Sequence, residues 1–382
     1  MRFVHILIGS ADPRTVNGVN KVVHWLATTQ KQMGLASEIW ALMSNGAAST
    51  HEHIYPMRFF KRTKSRFLLT RELRSALKQL PSDTWVQLHS VYIPELTAIA
   101  RLLRKHGIFY GVTTHGGYLT LYFDPSRALR MKKRIFSILW ENWMLHHAAM
   151  IHVIGATELD DLRRRAPHQK MVMIPNGSAR EQLATQTGPR QEAQPPSILY
   201  CGRHNIEQKG LDLLLDGFAI YRRQGGTLQL VLIGGGSDTV RLRAMARELG
   251  VAGWISWPGI LPVNELRSML QGGAAFVHTS RFDVLPTACL EAAALGLPLF
   301  TSLETNFADY ILPRNAGWIC RSNVPVEIAS TMFLIERTSP AERIAMGENA
   351  RRMIDEELRW DLICEKLGKT VEEIMKEAAR AR

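Results

Sequence analysis

The sequence predicts an α/β protein made of two Rossmann-like lobes, and three observations carry that expectation. The chain has 382 residues, more than a single hydrophobic core usually organises. Short apolar runs alternate with longer amphipathic stretches through both halves, the pattern of βαβ units and parallel sheets. Between the halves, Thr185 to Pro196 lacks periodicity and concentrates proline ahead of a new apolar run. The expected organisation is a first domain over residues 1–185, a linker over 186–196, a second domain over 197–359, and a last helical segment over 360–382.

The apolar run Phe3 to Ile8 enters a Gly-Ser turn and reads as a first buried strand, too short for a signal peptide. Further strands are expected at Ala36 to Leu42, Trp85 to His89, Phe109 to Thr114, Met150 to Val153 and Met171 to Ile174, with helices between them. In the second half the same alternation puts strands at Ser197 to Cys201, Leu228 to Ile233, Ile255 to Trp257, Ala275 to His278 and Leu297 to Thr301. The stretch from Ala341 to Arg382 has the pattern of an amphipathic helix.

At 46% hydrophobic and 21% charged residues, the composition is that of a soluble globular protein, without repeats or low-complexity tracts. Apolar stretches such as Leu228 to Gly236 and Ala292 to Thr301 fall well short of the roughly 20 residues that cross a bilayer. A cytoplasmic location is the expectation. Cys201, Cys289, Cys320 and Cys364 form no C-x-x-C pair and sit beside apolar neighbours, so reduced, mostly buried thiols are expected. The net charge of +12 is unevenly divided: residues 1–185 hold 25 Lys and Arg against 12 Asp and Glu, and residues 186–382 hold 22 against 23. Such asymmetry suggests a first lobe that meets a polyanion or an anionic membrane surface.

The motif with most chemistry begins at Ile198-Leu199-Tyr200-Cys201-Gly202-Arg203 and continues through Lys209-Gly210 into the helical run Leu211-Asp212-Leu213-Leu214-Leu215. A strand ends, a loop holds two cations six residues apart, and a helix follows. Arginine's forked donors, lysine's point charge and free N–H groups at a helix start together suit a diphosphate. Alone, the two cations also fit a solvated loop. About 80 residues on, Ser280-Arg281-Phe282-Asp283-Val284-Leu285-Pro286-Thr287-Ala288-Cys289-Leu290-Glu291 places two carboxylates eight residues apart around a turn. The second stands in the apolar start of a helix, where an unpartnered carboxylate costs several kcal/mol. Ribose hydroxyls would supply partners.

Together these segments resemble glycosyltransferase family 4, with its G-R-(x)n-K-G and E-x7-E patterns. The resemblance implies a GT-B architecture, two Rossmann-like lobes facing across a cleft, with the segment from Trp360 returning to the first lobe. It implies a retaining, metal-independent transferase that uses a UDP- or GDP-sugar as substrate and no cofactor, with a glycan or lipid-linked acceptor. Arg203 and Lys209 match the phosphate clamp and Asp283 and Glu291 the two acidic positions, with Val284 and Leu285 in the donor-binding turn between them. Asp283 stands where the family usually has Glu, and Val284 where Gly is common, so the donor sugar is left open. Leu303-Glu304-Thr305-Asn306 also departs from a usual glycine pair.

In the first half, Thr15-Val16-Asn17-Gly18-Val19-Asn20-Lys21 resembles the family's glycine-rich loop, with Gly18 allowing close backbone approach and Asn17 tolerating left-handed geometry. Val112-Thr113-Thr114-His115-Gly116-Gly117 ends a strand where open parallel sheets place ligands. The resemblance points His115 at the donor sugar; a structural histidine bonded to a carbonyl is the alternative. Ile174-Pro175-Asn176-Gly177 matches a P-N-G turn before the linker.

Two features are decoys. Ile233-Gly234-Gly235-Gly236-Ser237-Asp238-Thr239 lacks the third glycine of a dinucleotide loop and an acid about 20 residues later. His146, His147 and His152 have no carboxylate cluster to make a metal site, and no metal is expected. Cations interleave with aromatic and apolar residues at Phe59, Phe60, Lys61, Arg62, Lys64, Arg66 and Phe67, and at Lys132, Lys133 and Arg134, a pattern that suits shallow docking on an anionic membrane. No nucleic-acid-binding module accompanies the charge. A catalytically silent nucleotide-sugar-binding module and a nucleotide-sugar epimerase remain as other readings.

Overall fold

A computed structural model of the protein describes residues 1–13, 17–44, 53–120, 126–167, 169–178 and 192–380. The chain divides into two compact units, the first made of Met1–Asn176 with Trp360–Arg382 and the second of Gly177–Arg359. Of the expected linker, residues 186–191 lie outside the described residues. From Glu192 onward the segment is held within the second unit: Glu192 forms a buried ion pair with Arg343 at 2.6 Å, and the Ala193 N–H donates to the Gly272 carbonyl.

The first unit is a parallel sheet of seven strands: β1 Arg2–Ile8, β2 Ala36–Met43, β3 Met57–Lys61, β4 Thr84–His89, β5 Phe109–Thr113, β6 Met150–Val153 and β7 Met171–Met173. Their order is β3-β2-β1-β4-β5-β6-β7. Fully buried faces explain the near-continuous apolar runs in β1 and β4, as parallel sheets covered on both sides require. One core packs Val4, Ile6, Trp40, Val86, Leu88 and Val112 with residues of the helices Arg71–Lys78 and Pro94–Lys105. β3 was not expected as a strand. Its cation-rich sequence hides a short edge strand whose register sets Phe60 against Leu42.

The second unit has six parallel strands: β8 Ser197–Arg203, β9 Gln229–Gly235, β10 Ile255–Gly259, β11 Ala275–His278, β12 Leu299–Ser302 and β13 Gly317–Cys320. The order is β10-β9-β8-β11-β12-β13. β13, four residues at the edge and largely half-buried, is short and opens on a glycine, and escaped the sequence reading. Three of the four cysteines are buried, Cys201 is half-buried, and all four are free thiols.

In each sheet the order reverses between two neighbours, β1 and β4 in the first and β8 and β11 in the second. Crossovers leave in opposite directions there, so the carboxyl ends of those strands stay uncovered by their helices, where open α/β sheets bind ligands.

The helix Trp360–Arg380 completes the first unit. It buries Ile363, Cys364, Leu367, Val371 and Ile374 on one face and packs on the helix Gly18–Gln32, the Cys364 thiol lying 3.8 Å from the Leu26 carbonyl. Its other face carries the exposed Lys369–Glu365 pair. Leu367→Ala is expected to lower the unfolding free energy by about 2–5 kcal/mol. Lys369→Ala on the wet face should stay within about 0.5 kcal/mol, both read by denaturant unfolding of the full chain.

Candidate functional site

In the second unit the chemistry collects at the reversal between β8 and β11. β8 ends at Arg203, and the short helix Ile206–Lys209 follows, capped by Asn205, whose side-chain oxygen accepts the Gln208 N–H at 2.8 Å. Gly210 then turns with φ 59° and starts the helix Leu211–Arg223. A side chain is excluded here, because a Cβ would stand 2.2 Å from the Thr279 carbonyl oxygen. That turn aims Lys209 back across the strand ends to Asp283, 74 residues away, and its ammonium donates to Asp283 Oδ2.

Asp283 is tied on every side. The same Oδ2 lies 3.2 Å from His278 Nε2, and Oδ1 accepts the Val284 N–H at 3.0 Å. Its N–H donates to the Glu304 carbonyl, and Asn306 Nδ2 donates to its carbonyl at 3.0 Å. Burial alone would raise the carboxyl, but the Lys209 ammonium and the His278 N–H outweigh it and hold Asp283 well below the usual carboxylate range. Burial and the same ammonium lower His278, which is neutral at physiological pH. The segment is braced again by Arg281, whose guanidinium forks onto both Asp212 oxygens at 2.8 and 2.6 Å and donates to the Ile206 carbonyl.

Arg203 extends from the strand end, exposed, 3.5 Å from Gln208 Oε1. Glu291 stands half-buried in the helix Thr287–Ala294, between the buried Leu290 and Ala292. The structure thus brings Lys209 and Asp283 into contact, and sets Arg203 on the loop leading to Lys209. Leu285 is 1% exposed, with its N–H bonded to the Thr305 carbonyl, and the Val284 N–H is held by Asp283 Oδ1, so both backbone donors of the turn are engaged within the unit.

Several participants had not been singled out. His278 reads in sequence as the last residue of an apolar strand, and Asn306, in left-handed geometry, falls in the segment that departs from the glycine pair. The glycine loop after β9 is structural: a Cβ on Gly234 would meet the Gly202 carbonyl at 2.1 Å, and Asp238 accepts the Ile206 N–H at 2.8 Å.

In the first unit, His115 follows β5 with φ 51° and leads into Gly116 at φ 70°. The buried Glu158 holds this turn by accepting from the Thr114 hydroxyl and, at 2.7 Å, from the Gly116 N–H. Burial pushes Glu158 up to about 7 against the lowering by those donors. Nothing in the run Ala156–Arg165 separates Glu158 from the other acids of an amphipathic helix, so sequence reasoning passed over it. Residues 14–16 of the expected glycine-rich loop lie outside the described residues. Asn17 is not left-handed: at φ −93° it caps the helix Gly18–Gln32 by accepting the Val19 N–H at 3.0 Å. Gly18 opens that helix with open space where a Cβ would stand.

The expected docking residues separate into two groups. Phe60 is 1% exposed against Trp40, with ring centroids 5.2 Å apart, so it belongs to the core and not to a surface. Arg62 pairs with the buried Glu95 at 2.7 Å, and Phe59 is half-buried. Lys61, Lys64, Arg66, Lys132 and Arg134 are exposed, and Lys133 lies 3.3 Å from the Thr120 hydroxyl. His147 Nδ1 donates to the Trp143 carbonyl at 2.8 Å, and among the described residues no three His, Cys, Asp or Glu cluster as a metal site would need. Among them too, no helix is long and apolar enough to cross a membrane.

Residues 179–353 match the family model described as glycosyl transferases group 1, and residues 16–181 match that of glycosyltransferase family 4. The lipopolysaccharide 1,6-galactosyltransferase of Salmonella typhimurium is 35% identical over 117 residues, 30% of this chain and 32% of that protein. The GDP-mannose-dependent alpha-(1-6)-phosphatidylinositol monomannoside mannosyltransferase of Mycobacterium tuberculosis is 28% identical over 182 residues, 45% of this chain and 46% of that one. The matches span about a third to a half of these curated relatives' lengths. Among solved structures, sucrose-phosphate synthase from Thermosynechococcus elongatus superposes with a TM-score of 0.78 at 17% identity, over 99% of this chain and 100% of that one. WaaG, a glycosyltransferase involved in lipopolysaccharide biosynthesis, gives 0.68 at 14% identity, over 95% and 98%.

Burial lowers His5 and His152 to about 4, His115 to about 3 and His89 well below the usual imidazole range, while burial raises Glu141 and Glu158 to about 7. Below pH 6.5 the unfolded chain takes up protons on these histidines that the fold refuses, so stability falls as pH drops from 6.5 towards 4. The two carboxyls act oppositely, since the fold retains their protons between pH 4.5 and 7. With four histidines against two carboxyls, thermal unfolding followed from pH 6.5 to 5 should show a falling midpoint. Glu158→Gln removes one opposing group and should steepen that fall by about 1.4 kcal/mol per pH unit.

Proposed function

Because the chain belongs to glycosyltransferase family 4 and has the GT-B architecture, we propose that it moves a hexosyl group from a UDP- or GDP-sugar to a glycan or lipid-linked acceptor. The observation that carries the reading is the meeting of Lys209 with Asp283 at the β8–β11 reversal, with Arg203 on the adjoining loop. A fixed carboxylate beside a fixed ammonium, at the uncovered strand ends, suits a ligand that joins a diphosphate to a polyol. Acceptors built on lipopolysaccharide or a phosphatidylinositol mannoside, as in the named relatives, support a role in cell-surface polysaccharide or glycolipid synthesis.

In the proposed reaction the bond between the sugar's anomeric carbon and the phosphate oxygen breaks, and the acceptor oxygen bonds to that carbon on the same face. The acceptor's proton passes to the departing phosphate, and configuration is retained. Arg203 and Lys209 stabilise the charge that develops on the diphosphate, which needs no metal in this scheme. Glu291 accepts from the ribose hydroxyls, Asp283 directs the sugar, and His115, presented at the end of β5, meets the donor sugar.

The docking surface in this reading lies on the helix Arg127–Phe136 and the π-helical turn Ser137–Glu141. The helix carries Arg127, Arg130, Lys132, Lys133 and Arg134 and no acid. Met131, Leu139 and Ile138 are 55%, 55% and 70% exposed among those cations. The exposed Phe67 extends the patch, its ring 5.1 Å from Trp140 and 6.2 Å from Phe136. Cations beside exposed apolar side chains fit an anionic bilayer, at about 1 kcal/mol per Lys or Arg near the surface. That would hold the protein peripherally on the cytoplasmic face, beside a lipid-linked acceptor.

A thermal-shift screen of UDP-, GDP- and ADP-sugars identifies the donor, and analysis of the product separates transfer from epimerisation or silent binding. Arg203→Ala and Lys209→Ala should each lower turnover by about 100-fold or more with the fold intact, and near-normal turnover in both would end the assignment. Glu291→Gln should weaken binding of the free nucleotide in titration. Co-sedimentation should favour anionic over neutral vesicles at low salt and weaken with salt and with Ile138→Asp; equal binding to both vesicle types would remove the membrane surface from the reading.

A further inference from the structure

A row of three imidazoles, His5 and His89 buried and His115 half-buried, crosses the first sheet. In the register of the strands, His5 on β1 faces Gln87 on β4, and His89 on β4 faces Thr113 on β5. His89 lies two residues beyond Gln87 and His115 two beyond Thr113. Side chains two apart share a face, so the three histidines climb one face diagonally from mid-sheet to its carboxyl edge. His5 Nδ1 is 3.0 Å from His89 Nε2, and His89 Nδ1 is 2.9 Å from His115 Nε2. At the inner end, Gln30 Oε1 lies 2.8 Å from His5 Nε2 and accepts the Ser37 hydroxyl at 2.8 Å.

A neutral imidazole has one N–H and one lone pair. In a row of them every N–H points the same way, or two like groups confront each other. His5, His89 and Gln30 are fully buried, so no water covers such a mismatch, which leaves unsatisfied groups at about 1–3 kcal/mol each. Gln30 sets the direction: its carbonyl oxygen faces His5 and Ser37 while its Nε2 is left without a partner, so the oxygen takes the His5 Nε2–H, His5 Nδ1 takes the His89 Nε2–H, and His89 Nδ1 takes the His115 Nε2–H. His115 Nδ1 is then left with a lone pair, and among the described residues nothing is bonded to it. A neighbouring row shows the same principle with an unambiguous terminus. His152 Nε2 can only donate to the Ile174 carbonyl at 2.8 Å, so its Nδ1 accepts from Thr113, which accepts from Gln87.

We propose that Gln30, His5 and His89 are positioning residues that fix His115 in its Nε2–H tautomer and present Nδ1 at the end of β5 as an acceptor for a substrate hydroxyl. The ligand class rests on the reading of His115 above; the tautomer relay does not. A hydroxyl donor would bond to that lone pair, whereas the opposite tautomer would set an N–H in its place and require the substrate to offer an acceptor.

The test is a long-range proton–nitrogen correlation spectrum of the full chain labelled with ¹⁵N-histidine, His115 being assigned by the signal lost in His115→Gln. The unaltered protein should show His115 protonated at Nε2. Gln30→Met, which keeps bulk and removes the oxygen, should mix or reverse that tautomer and lower kcat about tenfold with KM changed less than threefold, folding being checked by circular dichroism. Protonation at Nδ1 in the unaltered protein, a measurement that needs no variant, overturns the proposal. So does an unchanged tautomer in a folded Gln30→Met. If the tautomer follows Gln30 but His115→Gln transfers sugar at the normal rate, the relay stands and the assignment of His115 to the donor falls.

Discussion

The ion pair between Lys209 and Asp283 is the contact on which the second unit's functional surface depends. Two charged side chains only 11% and 15% exposed favour each other's company, since removing one leaves the other with little compensation, at a cost of at most roughly 3–5 kcal/mol. The pair therefore dictates the conformations of both segments that carry it. The left-handed turn at Gly210 exists to let one segment approach Thr279, and Asn306 and the Glu304 carbonyl hold the other in place. Arg281 repeats the connection a turn away through Asp212 and Ile206. A ligand at this place meets side chains already immobilised, with little ordering left to be done on binding.

Much of the fold was legible because parallel strands buried on both faces leave unbroken apolar runs. The expected ranges overlap eleven observed strands, among them the partly exposed edge strands β7 and β10. The exceptions, β3 and β13, are short, partly buried edge strands: cations flank the aromatic pair of β3, and β13 opens on a glycine. In β3 the buried Phe60 stands between the half-buried Phe59 and the exposed Lys61, yet the density of cations suggested a surface segment. Charged residues at the candidate site were legible because acids and bases in apolar surroundings attract notice. Their organisers were not: His278, Asn306 and Glu158 act through geometry that appears only when distant segments meet, and each has an unremarkable local sequence.

The two units use buried polarity differently. The first threads imidazoles, amides and hydroxyls through the middle of its sheet, where Val, Ile or Leu would fill the same space without any demand for hydrogen bonds. Each unsatisfied member of such a network is costly, as Gln30 Nε2 is here, which makes the sheet's register and the side-chain rotamers interdependent. The second unit concentrates its polar contacts at the strand ends and leaves the sheet interior to Ile198, Leu230, Leu232, Val277 and Phe300. Its core could accept volume-conserving exchange, while the first unit's sheet leaves less freedom at the positions that carry the row.

The last helix belongs to the unit that contains the first strand, and the whole second unit is encoded between them. On the ribosome, Gly177–Arg359 can therefore close its core while the first unit still lacks the surface that covers the helix Gly18–Gln32. At roughly 5–20 residues per second, the interval between the end of the first unit's sheet and the arrival of Trp360–Arg380 is on the order of ten to forty seconds. Throughout it, the flank of that helix around Leu26 awaits Cys364 and the buried face of the last helix, so the nascent chain offers chaperones a binding face that the finished protein conceals.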